Sequence, residues 1–163
     1  NMKLVSGLFP FQKLHEEFPG KITLGTDGAS SNNNLSMLEE MKLCSLVSKW
    51  QAQNALAGLD KDIFTAATRN GAQAFGLNAG IIEEGALADC ILVDLNNPFI
   101  TPSYNLLSNM VYAADSSCIR DVICNGKVIM RNQKVPGEET IIAEAHRLAA
   151  KIKSLKPVPN AVP

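Results

Sequence analysis

Leu24-Gly25-Thr26-Asp27-Gly28 is the stretch on which the reading of the fold turns. It closes a brief apolar run, Ile22-Thr23-Leu24, that reads as a strand, and it places an acidic residue between glycines at the end of that run. In parallel α/β architectures, functional groups sit at the C-terminal ends of strands, where the loops converge. The flanking glycines would let backbone approach a ligand closely. Spacing alone is also met by a turn aspartate that only bonds its own loop, and that is the simpler reading of the pattern by itself.

Upstream, residues 1–11 read as a loop, and a short helix over residues 11–18 is expected to end at Pro19-Gly20. Downstream, Ser30 to Asn34 continue the loop. Ser36 and Glu39 have the S-x-x-E spacing of a capping box and open a long helix. Met37, Met41, Cys44 and Val47 share one face, widened by Leu43, Leu46 and Trp50, so this helix is expected to be well buried and to stop at Gly58. Asp60 or Asp62 can cap a second helix that ends near Asn70-Gly71.

The texture changes after Gly80. Ile81-Ile82 and Cys90-Ile91-Leu92-Val93 read as short strands, separated by a Glu84-Gly85 turn. The second is apolar throughout, which fits a strand covered on both faces. Leu106 to Ala114 read as helical. Val122-Ile123-Cys124, Asn125-Gly126, Val128-Ile129-Met130 is the clearest hairpin signal, because Asn-Gly accepts the positive φ angles of a type I′ turn. Residues 138–155 carry Ile141, Ile142, Ala145, Leu148, Ala149, Ile152 and Leu155 on one stripe of a helix, with acidic residues at its start and lysines at its end. The expected division is therefore an α-rich front over residues 1–80, a β-rich part over 81–136, and a helix and tail over 137–163.

The chain has 163 residues, 19% of them charged, and a net charge of −1. It has no basic excess to suggest a nucleic-acid or anionic membrane partner, and no apolar run long enough to cross a bilayer. Cys44, Cys90, Cys118 and Cys124 form no CxxC pair and sit in apolar runs, which reads as buried free thiols and a cytoplasmic location. The start at Asn1 reads as a cut front, and the proline-punctuated tail from Lys156 as a natural, frayed end.

His15 and His146 fall on separate expected helices among charged neighbours, without a second histidine at helical or strand spacing. A hydrolytic metal site commonly takes three or more protein ligands. There is no nucleophile elbow, P-loop or dinucleotide fingerprint. Glu39-Glu40 and Glu83-Glu84 read as cap and turn residues. Residue types and spacing alone thus outline no complete active site.

Asn1-Met-Lys-Leu-Val-Ser-Gly7, Leu24-Gly-Thr-Asp-Gly-Ala-Ser-Ser-Asn32 and Leu35 to Met41 resemble the amidohydrolase superfamily. Within it they are similar to the cytosine-deaminase-like and chlorohydrolase branch, and above all to the S-adenosylhomocysteine/5′-methylthioadenosine deaminases. Gly80 to Asp94, Asn109 to Ala113 and Val122 to Lys127 resemble the same family's later segments, in the family's order.

That resemblance implies a fold class of α/β. The last βα portion of a TIM barrel would be followed by C-terminal strands of a composite β-sandwich and a terminal helix docked outside. Residues 22–26 would be barrel strand eight, with Asp27 at its mouth as a ligand of a divalent metal, zinc or iron, and as the carboxylate that relays a proton from metal-bound water. Ser30, Ser31 and Asn32 would lie in the loop beside the site as substrate contacts. Asn34 and Ser36 depart from the acidic residues frequent at these positions, a difference that bears on substrate and not on superfamily. The family's HxH pair, its other histidines and its catalytic glutamate are not in this sequence. A full barrel takes about 250 residues, so the expectation is a C-terminal fragment. Its parent would be a hydrolase of carbon–nitrogen bonds that deaminates an aminated heterocycle such as an adenosine derivative. Chlorohydrolase or guanine-deaminase activity is the alternative for the parent, and an inactive structural module for the isolated chain. Implied partners are a small-molecule substrate, the missing N-terminal part, and further copies in a homo-oligomer.

Overall fold

The computed structural model describes residues 2–155; Asn1, the tail from Lys156 and the side chain of Leu155 lie outside the described residues. In chain order these form α1 (Phe11–Glu17), α2 (Ala29–Asn32), α3 (Met37–Ala52), α4 (Asp60–Ala67), α5 (Arg69–Ala74), β1 (Cys90–Val93), α6 (Leu106–Tyr112), β2 (Ile119–Cys124), β3 (Lys127–Met130) and α7 (Glu138–Leu155).

α3 begins where the sequence indicates, with Ser36 Oγ accepting the Glu39 N–H at 3.3 Å. Glu39 does not complete the box; its carboxylate takes the side chain of Asn34, whose own Oδ1 accepts the Ser36 N–H at 3.2 Å. The helix stops at Gln53 in the left-handed region, not at Gly58. Its buried residues are Met41, Ser45 and Ser48, while Leu46 and Trp50 are exposed, so the wide apolar face expected from sequence is only partly used. The small serines face inward because the backbone at Gly58 passes against them. A Cβ on Gly58, where φ is +53°, would stand 2.8 Å from that of Ser48.

Polar groups at this contact are satisfied. Ser45 Oγ donates to the Gly58 carbonyl at 2.6 Å and lies 2.7 Å from the Tyr112 hydroxyl. Lys49 donates to the Ala57 carbonyl at 2.6 Å, and the Gly58 N–H donates to Gln12 at 2.7 Å. The apolar core lies alongside: Phe11, Met41, Ile63, Ala66 and Val111, bordered by Ile22, Leu24, Leu38, Phe64 and Tyr112. Although α6 follows β1 in sequence, it packs on α3 and α4. The second expected helix is two, α4 and α5, broken at Thr68 (φ −126°, ψ −90°), and α5 runs through Asn70-Gly71.

The strands form one antiparallel sheet in the order β1-β2-β3. Ile91, Val122 and Met130 share a row, as do Cys90, Ile123 and Val128. Asn125 and Gly126 both take positive φ, 47° and 75°, as a type I′ turn requires. The turn is tied back before β1 by Asn125 N–H to Asp89 at 2.6 Å and Gly126 N–H to the Ala88 carbonyl at 3.0 Å. β1 is not covered on both faces, since Ile91 and Leu92 are exposed. No strand forms at Ile81-Ile82; Ile82 is exposed, and the segment closes on itself through Leu87 N–H to the Asn78 carbonyl at 2.8 Å.

α7 forms where expected but does not dock. Every described side chain from Glu138 to Ser154 is exposed, including the stripe of Ile141, Leu148 and Ile152, because no described surface lies against it. Among the described residues no helix is long and apolar enough to cross a membrane. All four cysteines are free, but only Cys118 is buried; Cys44 and Cys90 are half-buried and Cys124 is exposed.

Candidate functional site

Residues 22–26 belong to no helix or strand, but their burial alternates as in a strand, with Ile22 and Leu24 turned to the core. They form no ladder, because no neighbouring strand among the described residues offers its edge. Helices hold the segment instead. The Asn70 side chain donates to the Ile22 carbonyl at 2.8 Å, and the Leu24 N–H donates to the Ala66 carbonyl at 3.0 Å. The strand expected from sequence is therefore, among the described residues, an unladdered run held by helices.

Asp27 ends that run in the left-handed region, φ +59°. Aspartate enters this region more readily than most residues, because its short polar side chain bonds nearby backbone. Here Oδ1 accepts the Gly28 N–H at 2.6 Å. That bond first, and the Ser31 hydroxyl second, hold the exposed carboxyl below the usual carboxylate range. Gly25 and Gly28 keep ordinary φ; a Cβ on Gly25 would stand in open space and one on Gly28 only in ordinary contact with Ser30 Oγ at 3.9 Å, so the unusual backbone falls on Asp27 and not on its glycines.

The loop then turns through α2, whose Ser31 and Asn32 N–H groups both donate to the Gly28 carbonyl at 3.0 Å. Ser30 is exposed at the rim. Ser31 faces Asp27, as its effect on the carboxyl requires. Asn32 turns inward: its amide donates to the Thr26 carbonyl at 2.8 Å and to Glu40 Oε1 at 2.6 Å. Glu40, read from sequence as a mere cap residue, is thus part of this cluster. Only its place one turn into a capped helix, beside the loop, could have indicated that.

Among the described residues no three of His, Cys, Asp and Glu come together as a metal-holding group. His15 stacks on Phe11 with ring centroids 5.4 Å apart and lies 3.7 Å from Asp62. His146 is exposed on α7. Asp27 therefore stands as a single carboxylate, which by itself does not fit the three-or-more ligand set of a catalytic divalent metal. A shallow cleft of 340 Å³ on the sheet, lined by residues such as Arg120, Asp121 and Arg131, does not include it.

Comparison with known proteins supplies the family. Residues 1–129 match the amidohydrolase family, and the chain belongs to it. The 5-methylthioadenosine/S-adenosylhomocysteine deaminase 1 of Archaeoglobus fulgidus is 42% identical over 155 residues, 93% of this chain and 37% of that protein. The 5′-deoxyadenosine deaminase of Methanococcus aeolicus is 42% identical over 149 residues, 90% of this chain and 34% of that protein. A crystal structure of an adenosine deaminase from Xanthomonas campestris with bound zinc superposes with a TM-score of 0.89 at 32% identity, over 94% of this chain and 36% of the other. The chain spans about a third of the length of the curated relatives it matches. The fold is that of α/β amidohydrolases, over the portion this chain covers.

Proposed function

We propose that this chain supplies one corner of the active site of a deaminase that hydrolyses a carbon–nitrogen bond in an aminated heterocycle, an adenosine derivative being the substrate class. The observation that carries this is the collinear likeness to proteins named as deaminases, which runs through Asp27 and its loop. In this reading residues 1–80 are the last βα portion of the barrel. Residues 81–136 are strands of the composite sandwich, and 137–163 the terminal helix and tail. The run of residues 22–26 is a barrel strand whose neighbours lie elsewhere in the longer protein.

Deamination adds water to the ring carbon that bears the amine and releases ammonia. The attacking water must lose a proton, and the leaving nitrogen must gain one. A carboxylate with one oxygen bonded to Gly28 and the group open to solvent is placed to accept and return that proton. A divalent metal would supply an activated water, but the described residues form no group that would hold it. Ser30 and Ser31, beside the carboxylate, are proposed to face substrate.

A second reading applies to the isolated chain: a non-catalytic module, favoured by the absence of a metal-holding group among the described residues. The test measures bound zinc or iron, and deaminase turnover, on these 163 residues and on a version extended upstream. Metal and turnover only in the extended protein are expected. Stoichiometric metal with turnover in the short chain, or an upstream extension without an HxH pair, would overturn the proposal.

A further inference from the structure

The Asp27 loop is bonded mainly to itself. The Gly28 N–H to Asp27 and the Ser31 and Asn32 N–H groups to Gly28 all close within a few residues. Such bonds shape a turn but do not fix where it stands relative to the body of the protein. Three side-chain ties leave it, one of them from Asn34, at the far end of the loop from Asp27, to Glu39 in α3. The Lys3 ammonium bonds Asn33, but Lys3 lies in the exposed segment before α1. The Asn32 amide reaches Glu40, in the first turn of α3, whose next residue, Met41, is 4% exposed in the core.

The geometry of the Asn32 tie is specific. A primary amide has two N–H donors, and Asn32 uses both, one on the Glu40 carboxylate and one on the carbonyl of Thr26. Thr26 is the residue immediately before Asp27. The bond to Glu40 is charge-assisted and short, 2.6 Å, so it is the stronger anchor. A left-handed non-glycine residue persists where its surroundings over-determine it. At Asp27 the flanking carbonyl is clamped on one side and the following N–H on the other.

We propose that Asn32, backed by Glu40, is the positioning residue for the Asp27 carboxylate, transmitting the rigidity of α3 to the loop. This rests on the reading of Asp27 as the working carboxylate. It also gives Asn32 a task other than substrate contact: its donors are spent on protein.

The test uses the 163-residue chain labelled with ¹⁵N, and variants Asn32→Ala, Glu40→Ala and Glu40→Gln. The Gly28 amide, held at 2.6 Å from Asp27, is the reporter. In Asn32→Ala and Glu40→Ala its proton shift is expected to move to the unstructured value and its exchange to speed up by roughly tenfold or more, with the α3 amides beyond its first turn and the thermal midpoint unmoved. Glu40→Gln keeps an acceptor oxygen and keeps the native Gly28 signal. An unchanged Gly28 amide in Asn32→Ala overturns the proposal. So does Glu40→Gln behaving like Glu40→Ala, or a loss of those α3 amides together with Gly28, which would make Asn32 a residue of the fold as a whole. Should Asp27→Asn keep turnover in the extended protein, the functional reading falls while the Gly28 result still reports on the tie.

Discussion

Asn70 donates its side-chain amide to the carbonyl of Ile22 at 2.8 Å, and so a residue of α5 holds the run that leads to Asp27. Asn70 is 5% exposed. Asn70→Leu removes the donor and leaves a partly buried carbonyl unpaired, a change of about 1–2 kcal/mol. Urea denaturation should show that loss. An unchanged midpoint would mean the run is held by packing of Ile22 and Leu24 alone.

Gly58→Ala is expected to cost roughly 2 kcal/mol or more. The residue sits at φ +53°, and the added methyl meets Ser48 Cβ at 2.8 Å. Gly28→Ala, with ordinary φ and an added Cβ only in ordinary contact with Ser30 Oγ at 3.9 Å, is the control and should leave the thermal midpoint in place.

Asp27→Asn should abolish turnover in the extended protein and leave the far-ultraviolet circular dichroism of this chain unchanged. The folded carboxyl is depressed, by the Gly28 N–H first and Ser31 second. Its contribution to stability is therefore present above the unfolded pKa and fades as pH falls through the folded one. A carbon-detected NMR titration checks the direction: the Asp27 midpoint should lie below that of the same residue in urea.

Thiol chemistry separates the cysteines. Cys124 should react with a disulfide reagent at once, and Cys118 only on unfolding, since it is buried. Cys44, pushed up to about 11 chiefly by burial, should lag well behind Cys124 at neutral pH. Equal rates for all four would contradict the packing of α3.

Truncation after Gly137 removes α7, whose described side chains touch no packed surface. The unfolding free energy of the remainder should change by less than about 0.5 kcal/mol. A larger loss would show that α7 shelters the core.

How much of this was legible in sequence depended on the range of the interaction. The Ser36 cap, the Asn125-Gly126 turn and the stripe of α7 are set by neighbours a few residues away, and the structure has them where the pattern put them. The end of α3 was misplaced because Gln53, not a glycine, takes the left-handed cap. Burial of Leu46 and Trp50 was overestimated, since an apolar residue on a helix records what could be covered and not what lies opposite. At the site, Asp27 stood out by its place between glycines, whereas Glu40 did not: its link to Asn32 joins residues eight apart across a loop of irregular backbone. No local pattern encodes that.

The sheet carries one more consequence. Among the described residues its order, β1-β2-β3, leaves the outer edges of β1 and β3 unpaired, and Ile91 and Ile129 are exposed beside them. Open edges with apolar neighbours are templates for further strands. In concentrated solution the chain by itself is expected to stack edge to edge and thicken into aggregates. Light scattering that rises with concentration, and subsides when a strand-bearing partner is added, would be the signature of a sheet waiting to be extended.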